Sequence, residues 1–127
     1  MTPFRRYTLL LAGLALLVLA YLALRSSPFV AEVPWIPSAL GEWADRNGIF
    51  RNTVAFFALG LFAFSLVGRR WPHALALALF ATLIEVAQIW IPHRVFDLKD
   101  IAASLAGLAL AWLLVCLAFR LRAKRPA

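Results

Sequence analysis

The sequence predicts an all-α integral membrane protein: a four-helix bundle that crosses the bilayer four times, with both ends in the cytoplasm and a short interfacial helix in its first outer loop. Three observations predict it. Of 127 residues, 64% are hydrophobic and only 15% are charged, and a soluble domain of this length has too little interior to hide so much apolar surface. The apolar residues fall into four runs, each close to the roughly 20 residues that span hydrocarbon. The cations gather at the ends of those runs, where they set orientation and meet anionic headgroups.

That placement also bears on partners. A net charge of +7 would suggest nucleic acid if the basic residues formed one patch; dispersed at span ends, they point to membrane lipids and to no nucleic-acid partner. Cys116 is the single cysteine, which excludes an intramolecular disulfide, and with no His or second Cys near it the residue reads as lipid-facing or packed.

The first span, about residues 7–24, is the uncharged run Tyr7 to Leu24 between Arg5, Arg6 and Arg25. Its apolar core exceeds the roughly 7–15 residues of a signal-peptide core, so it is expected to be retained. The outer segment from Arg25 to Phe50 follows. Pro28, Pro34 and Pro37 oppose a regular helix at its start, after which Ser38 can cap a short helix that Gly48 ends. Trp35, Ile36, Leu40 and Trp43 suit such a helix to the membrane surface; the alternative is a mobile polar loop. The second span, about 51–68, needs Phe50 to Asn52 to extend its helix into the headgroup layer. The third covers about 71–91, and the fourth about 100–119. The whole chain, 1–127, reads as one domain.

With the N-terminus inside, eight cations fall on the cytoplasmic side (Arg5, Arg6, Arg69, Arg70, Arg120, Arg122, Lys124 and Arg125) and five outside (Arg25, Arg46, Arg51, Arg94 and Lys99). The positive-inside rule favours this orientation. All the acidic residues then lie on or toward the outer side, a second asymmetry that bears on function.

Glu85 interrupts the third span about seven residues before Pro92, roughly 10 Å inside the helix end. An ionisable group at such depth faces a partner or a cavity. Gln88, three residues on, shares its face. Across the short turn containing Arg94, Asp97 and Asp100 are spaced with Ser104 and Gly107 along one face of the next helix. Asp97 also suits an N-cap, and Asp100 the positive end of the helix dipole. Arg94 can pair with either carboxylate in a forked geometry, and Arg51 and Asn52 enter the same outer layer. The candidate ligand-binding set is therefore Glu85, Gln88, Arg94, Asp97, Asp100, Ser104, Arg51 and Asn52; the alternative is that these groups only neutralise one another and lock the helices together. Ala103, Gly107 and Ala111 form a small-residue ridge that admits a close backbone, either within the fold or in a homo-oligomer through the fourth helix.

These residues resemble the VanZ-like family of small bacterial membrane proteins. The likeness rests on Glu85-x-x-Gln88-x-x-x-Pro92-x-Arg94-x-x-Asp97-x-x-Asp100 followed by Gly107, and on Arg51-Asn52-x-x-x-Phe56-x-x-Leu59-Gly60 opening the second span. It covers roughly residues 50 to 115; the first helix and outer loop add only length and topology. Family members often carry Asn where this chain has Ser104, and Lys and His where it has Arg51, Asn52 and Ala55. The resemblance implies a multi-pass protein of the bacterial inner membrane with a role in the cell envelope, the namesake being associated with resistance to the lipoglycopeptide teicoplanin.

The leading expectation is an outer-leaflet polar pocket that binds a lipid headgroup, a lipid-linked glycan or a lipoglycopeptide, with Arg94 and Arg51 on phosphate or carboxylate and with Glu85, Gln88 and Asp100 holding them. Two alternatives stand beside it: a hydrolase or transferase using Glu85 and Asp100 as acid and base, and a small proton-coupled transporter using Glu85. The chain shows no Ser-His pair, no metal-binding His cluster and no Cys nucleophile, so no catalytic residue, metal or cofactor is assigned. His73 and His93 lie at opposite boundaries and receive no role. Trp71, Trp90 and Trp112 read as boundary or packing residues.

Overall fold

In a computed structural model describing residues 2–25 and 27–124, the chain is all-helical, and Arg125 lies outside the described residues. Five helices follow in order: α1 (Pro3–Leu24), α2 (Ser38–Arg46), α3 (Gly48–Val67), α4 (Trp71–Ala87) and α5 (Leu98–Ala123). Short 3-10 turns at Val30–Glu32 and Gln88–Trp90 precede α2 and extend α4. Four of these units, α1, α3, α4 with its 3-10 turn, and α5, are long and apolar enough to cross a membrane. An even number of crossings returns the chain to the side on which it started.

The chain's own chemistry sets the boundaries. Thr2 caps α1 by accepting from the Arg5 N–H at 3.4 Å, and Pro3 opens the helix where no donor is needed. α2 begins one residue earlier in function than expected: Pro37, not Ser38, is its N-cap, and the Ser38 hydroxyl makes no cap bond. Its end also differs. Asn47 closes α2 and opens α3, so Gly48 is the first residue of the spanning helix rather than the stop of the short one. The expected extension through Phe50–Asn52 is present. Gly68, at φ 108°, turns the chain between α3 and α4, a conformation L side chains resist. At that turn the Trp112 indole N–H donates to the Arg69 carbonyl at 2.9 Å, and the Arg69 guanidinium sits 4.4 Å from the Phe119 ring centroid.

The principal packing is α3 against α5. The short link between α4 and α5 makes those two neighbours, yet α5 spends its small-residue ridge on α3. A Cβ at Gly107 would collide with the Thr53 carbonyl oxygen and the Phe57 nitrogen, and one at Gly60 would stand 2.7 Å from the Ala111 Cβ. Ala103, Gly107 and Ala111 are all buried. Of the two uses its spacing allows, the ridge is thus used within the fold, covered by α3. Phe56, Leu59, Ala81 and Leu108 form one core cluster, joined by Leu16 and Leu19 of α1. Phe64, Ala111 and Val115 form another nearer the opposite end. α1 has no buried residue; it lies on the bundle by a narrow strip and leaves Leu10, Leu14, Leu17 and Tyr21 outward, as a lipid-facing helix does.

Candidate functional site

The polar residues that the sequence singles out converge at the end of the bundle where α2 sits. Arg51, Asn52, Glu85, Gln88, Arg94, Asp100 and Ser104 all line one cavity of about 490 Å³. Its remaining wall is apolar: Leu19 and Leu22 of α1, Trp35, Ile36, Leu40 and Trp43 of the outer segment, Val54 and Phe56 of α3, and Ile84 of α4. Three of the polar members are almost wholly withdrawn from the surface, with Glu85 and Gln88 6% and Ser104 5% exposed. Trp35 and Leu40 are exposed, so the cavity reaches the surface beside the outer segment.

The connections among these side chains differ from those expected. Arg94 does not ion-pair with Glu85 or Asp100. Its Nε donates to the Arg25 carbonyl at 2.9 Å and its Nη2 to the Leu22 carbonyl at 2.7 Å. Gln88 Nε2 donates to the Ala23 carbonyl at 3.1 Å. The last carbonyls of a helix have no intrahelical donors, and those of α1 end inside the bundle; Arg94 and Gln88 supply the missing partners, with the arginine also suited to the negative end of the helix dipole. The first helix therefore does more than add length. Burial, and after it the nearby Arg51 and Arg25 charges, pull the Arg94 pKa below the ordinary guanidinium value.

Arg94 is aimed by a turn. Its N–H donates to the Ile91 carbonyl at 3.2 Å, with Pro92 second and His93, at φ 64°, third in the turn. A positive φ at that place, after proline, is the pattern of a type II turn, which glycine usually fills. His93 thus has a backbone role that its side-chain chemistry did not reveal.

Asp97 stands apart from the site. Its side chain is exposed, accepts from the Lys99 N–H at 2.8 Å as the N-cap of α5, and does not line the cavity. Its backbone N–H reaches inward instead, donating to Glu85 Oε1 at 3.3 Å. Asp100, one turn into α5, faces the Asn52 amide and the charges of Arg51 and Arg94.

Asp45 does not line the cavity but supports it, a role that sequence reasoning missed. Its Oδ1 accepts from the Val30 N–H at 2.7 Å and its Oδ2 from the Ala31 N–H at 3.1 Å, and Oδ1 lies 3.7 Å from Arg51 Nη1. One carboxylate so ties the 3-10 turn to α2 and both to α3. Gly41 is packed against Ala31, where a Cβ would meet the Ala31 Cα at 2.5 Å. The turn and α2 form a cap over the cavity, and the helix expected from residue 38 takes its position from these contacts. Asp45→Ala is expected to loosen the cap without unfolding the bundle. Amide exchange at Val30 and Ala31 should rise roughly tenfold, the effect of about 1.4 kcal/mol lost from one charged acceptor; unchanged exchange there would show that the cap holds by packing alone.

Among the described residues, no group of three His, Cys, Asp or Glu side chains is arranged to hold a metal ion. His73 binds the Gly68 carbonyl through Nδ1 at 3.0 Å, away from the cavity.

In comparisons with known proteins, the family model described as VanZ/LLP1 matches residues 7–119. No curated protein and no solved structure matches the chain.

Proposed function

The chain belongs to the VanZ/LLP1 family, and on that premise we propose that its capped cavity receives an amphiphile from the outer leaflet of a bacterial inner membrane, altering susceptibility to lipoglycopeptide antibiotics. The amphiphile is a lipid headgroup, a lipid-linked glycan or a lipoglycopeptide with its attached chain. One observation carries this reading: a single cavity is lined both by an apolar wall and by seven polar side chains. Ligand sites are mostly apolar concavities with a few convergent polar groups, and this division matches a molecule with a tail and a head. Trp35 and Trp43 beside the opening suit the headgroup depth, where tryptophan is favoured. The acidic residues and the cap then share the outer side, and the turn carrying Arg69 and Arg70 faces the cytoplasm.

Filling the cavity tests the proposal. Ala55 lines it without bearing charge, so Ala55→Trp occupies the space and leaves every polar partner in place. Native mass spectrometry of the protein taken from bacterial membranes in mild detergent is expected to show a retained amphiphile on the wild type and at least about tenfold less on the variant, with the shift in teicoplanin susceptibility lost in parallel. Absence of retained mass on the wild type, or equal retention by both, overturns it.

A further inference from the structure

We infer that the headgroup held in this cavity carries a protonated primary amine, received by Asp100 and Ser104 with Glu85 beside them. The inference rests on the amphiphile reading above and narrows it. The two arginines first suggest a phosphate or carboxylate, yet both are already engaged in holding the protein together. Arg94 gives Nε and Nη2 to the Arg25 and Leu22 carbonyls. Arg51 Nη1 forms an ion pair with Asp45 Oδ1 at 3.7 Å, and its Nε donates to Asn52 Oδ1 at 3.4 Å. An anion that drew either cation inward would uncover the end of α1 or release the cap.

The acceptors are in the opposite state. Among the described residues, no cation lies within ion-pairing distance of Glu85 or Asp100. Glu85 Oε1 takes one long bond from a backbone N–H, which leaves Oε2 for a ligand. Ser104 is 5% exposed and lines the cavity, and its hydroxyl has no protein partner among the described residues. No fully enclosed polar side-chain atom there lacks a partner, so this hydroxyl is reached from the cavity itself. Ser104 stands four residues after Asp100 on one helix face. A hydrogen-bond acceptor and a carboxylate in that arrangement suit the three donors of an ammonium group, and two carboxylates withdrawn from water, near the Arg51 and Arg94 charges but ion-paired with neither, favour a cation at contact distance. The apolar wall then takes the chain to which the amine is attached.

A tail-matched series separates this inference from the reading beneath it. The purified full-length protein in nanodiscs is titrated with dodecylammonium, dodecyl phosphate and dodecyl maltoside, each below its micellar concentration, and binding is followed by the fluorescence of the cavity tryptophans. Dodecylammonium is expected to bind at least about tenfold more tightly than the other two. That preference should disappear in Asp100→Asn and shrink in Ser104→Ala, and Ala55→Trp should bind none of the three. Equal affinity across the series, tightest binding of the phosphate, or a preference unchanged in both Asp100→Asn and Ser104→Ala overturns the amine while leaving an amphiphile site. No saturable binding of any member overturns the site itself.

Discussion

Gly107→Ala is expected to destabilise the bundle by about 3 kcal/mol, although it adds one methyl group to a helix and raises helix propensity. The added Cβ meets backbone, the Thr53 carbonyl oxygen and the Phe57 nitrogen, rather than a side chain that can turn aside. α3 and α5 must separate to admit it, and theirs is the main contact in the molecule. In a membrane, where lipid competes for apolar surface as well as any neighbouring helix does, close approach of backbones is a chief source of helix association. Gly13→Ala provides the matched control, because nothing stands within 4 Å of a Cβ there; its effect is expected to stay within about 0.5 kcal/mol. Thermal unfolding in detergent reads both, with a drop of roughly 10 °C for the first. Equal midpoints would mean that the two helices are not held by this approach.

Arg94→Leu is the second large expected loss, about 3 kcal/mol from two charge-assisted bonds to the carbonyls that end α1. α1 has no buried residue of its own, so Arg94 and Gln88 are its main polar attachments to the bundle. The damage should appear as faster amide exchange around residues 22–25 before it appears elsewhere. Arg94→Lys keeps a charge but not the fork that meets two carbonyls at once, and is expected to recover less than half of the loss. If both variants unfold with the wild type, the arginine is not the anchor of α1. The result also separates roles: an arginine acting only on a ligand would leave the exchange of α1 unchanged.

Much of this architecture is legible in the sequence because lipid imposes local rules. A membrane-spanning helix satisfies its own backbone and needs apolar residues over a fixed length, so the runs of leucine and alanine between flanking arginines announce four spans. Asp97 announces the start of α5 through its capping chemistry, and Gly107 the close helix contact through its spacing from Ala103 and Ala111. Glu85, Gln88, Arg94, Asp100 and Ser104 are recognisable as one group, since helical spacing places them on facing surfaces across a short turn. The side-chain partners were not legible. Arg94 near two carboxylates suggests an ion pair, but its partners are carbonyls some seventy residues earlier, and every residue has a carbonyl, so sequence carries no mark of which are left open.

The sequence by itself determined the number of spans, the grouping of polar residues toward one end and the family. Helix formation and lipid solubility depend on neighbours along the chain, which is why these were readable. Only the tertiary structure decided that Asp45 ties the outer segment into a cap, that α1 ends on Arg94 and Gln88, that the small-residue ridge is used up against α3, and that Glu85 and Asp100 face a cavity without a paired cation. Those outcomes depend on which helix ends meet in space, and the packing of α3 on α5 sets that meeting.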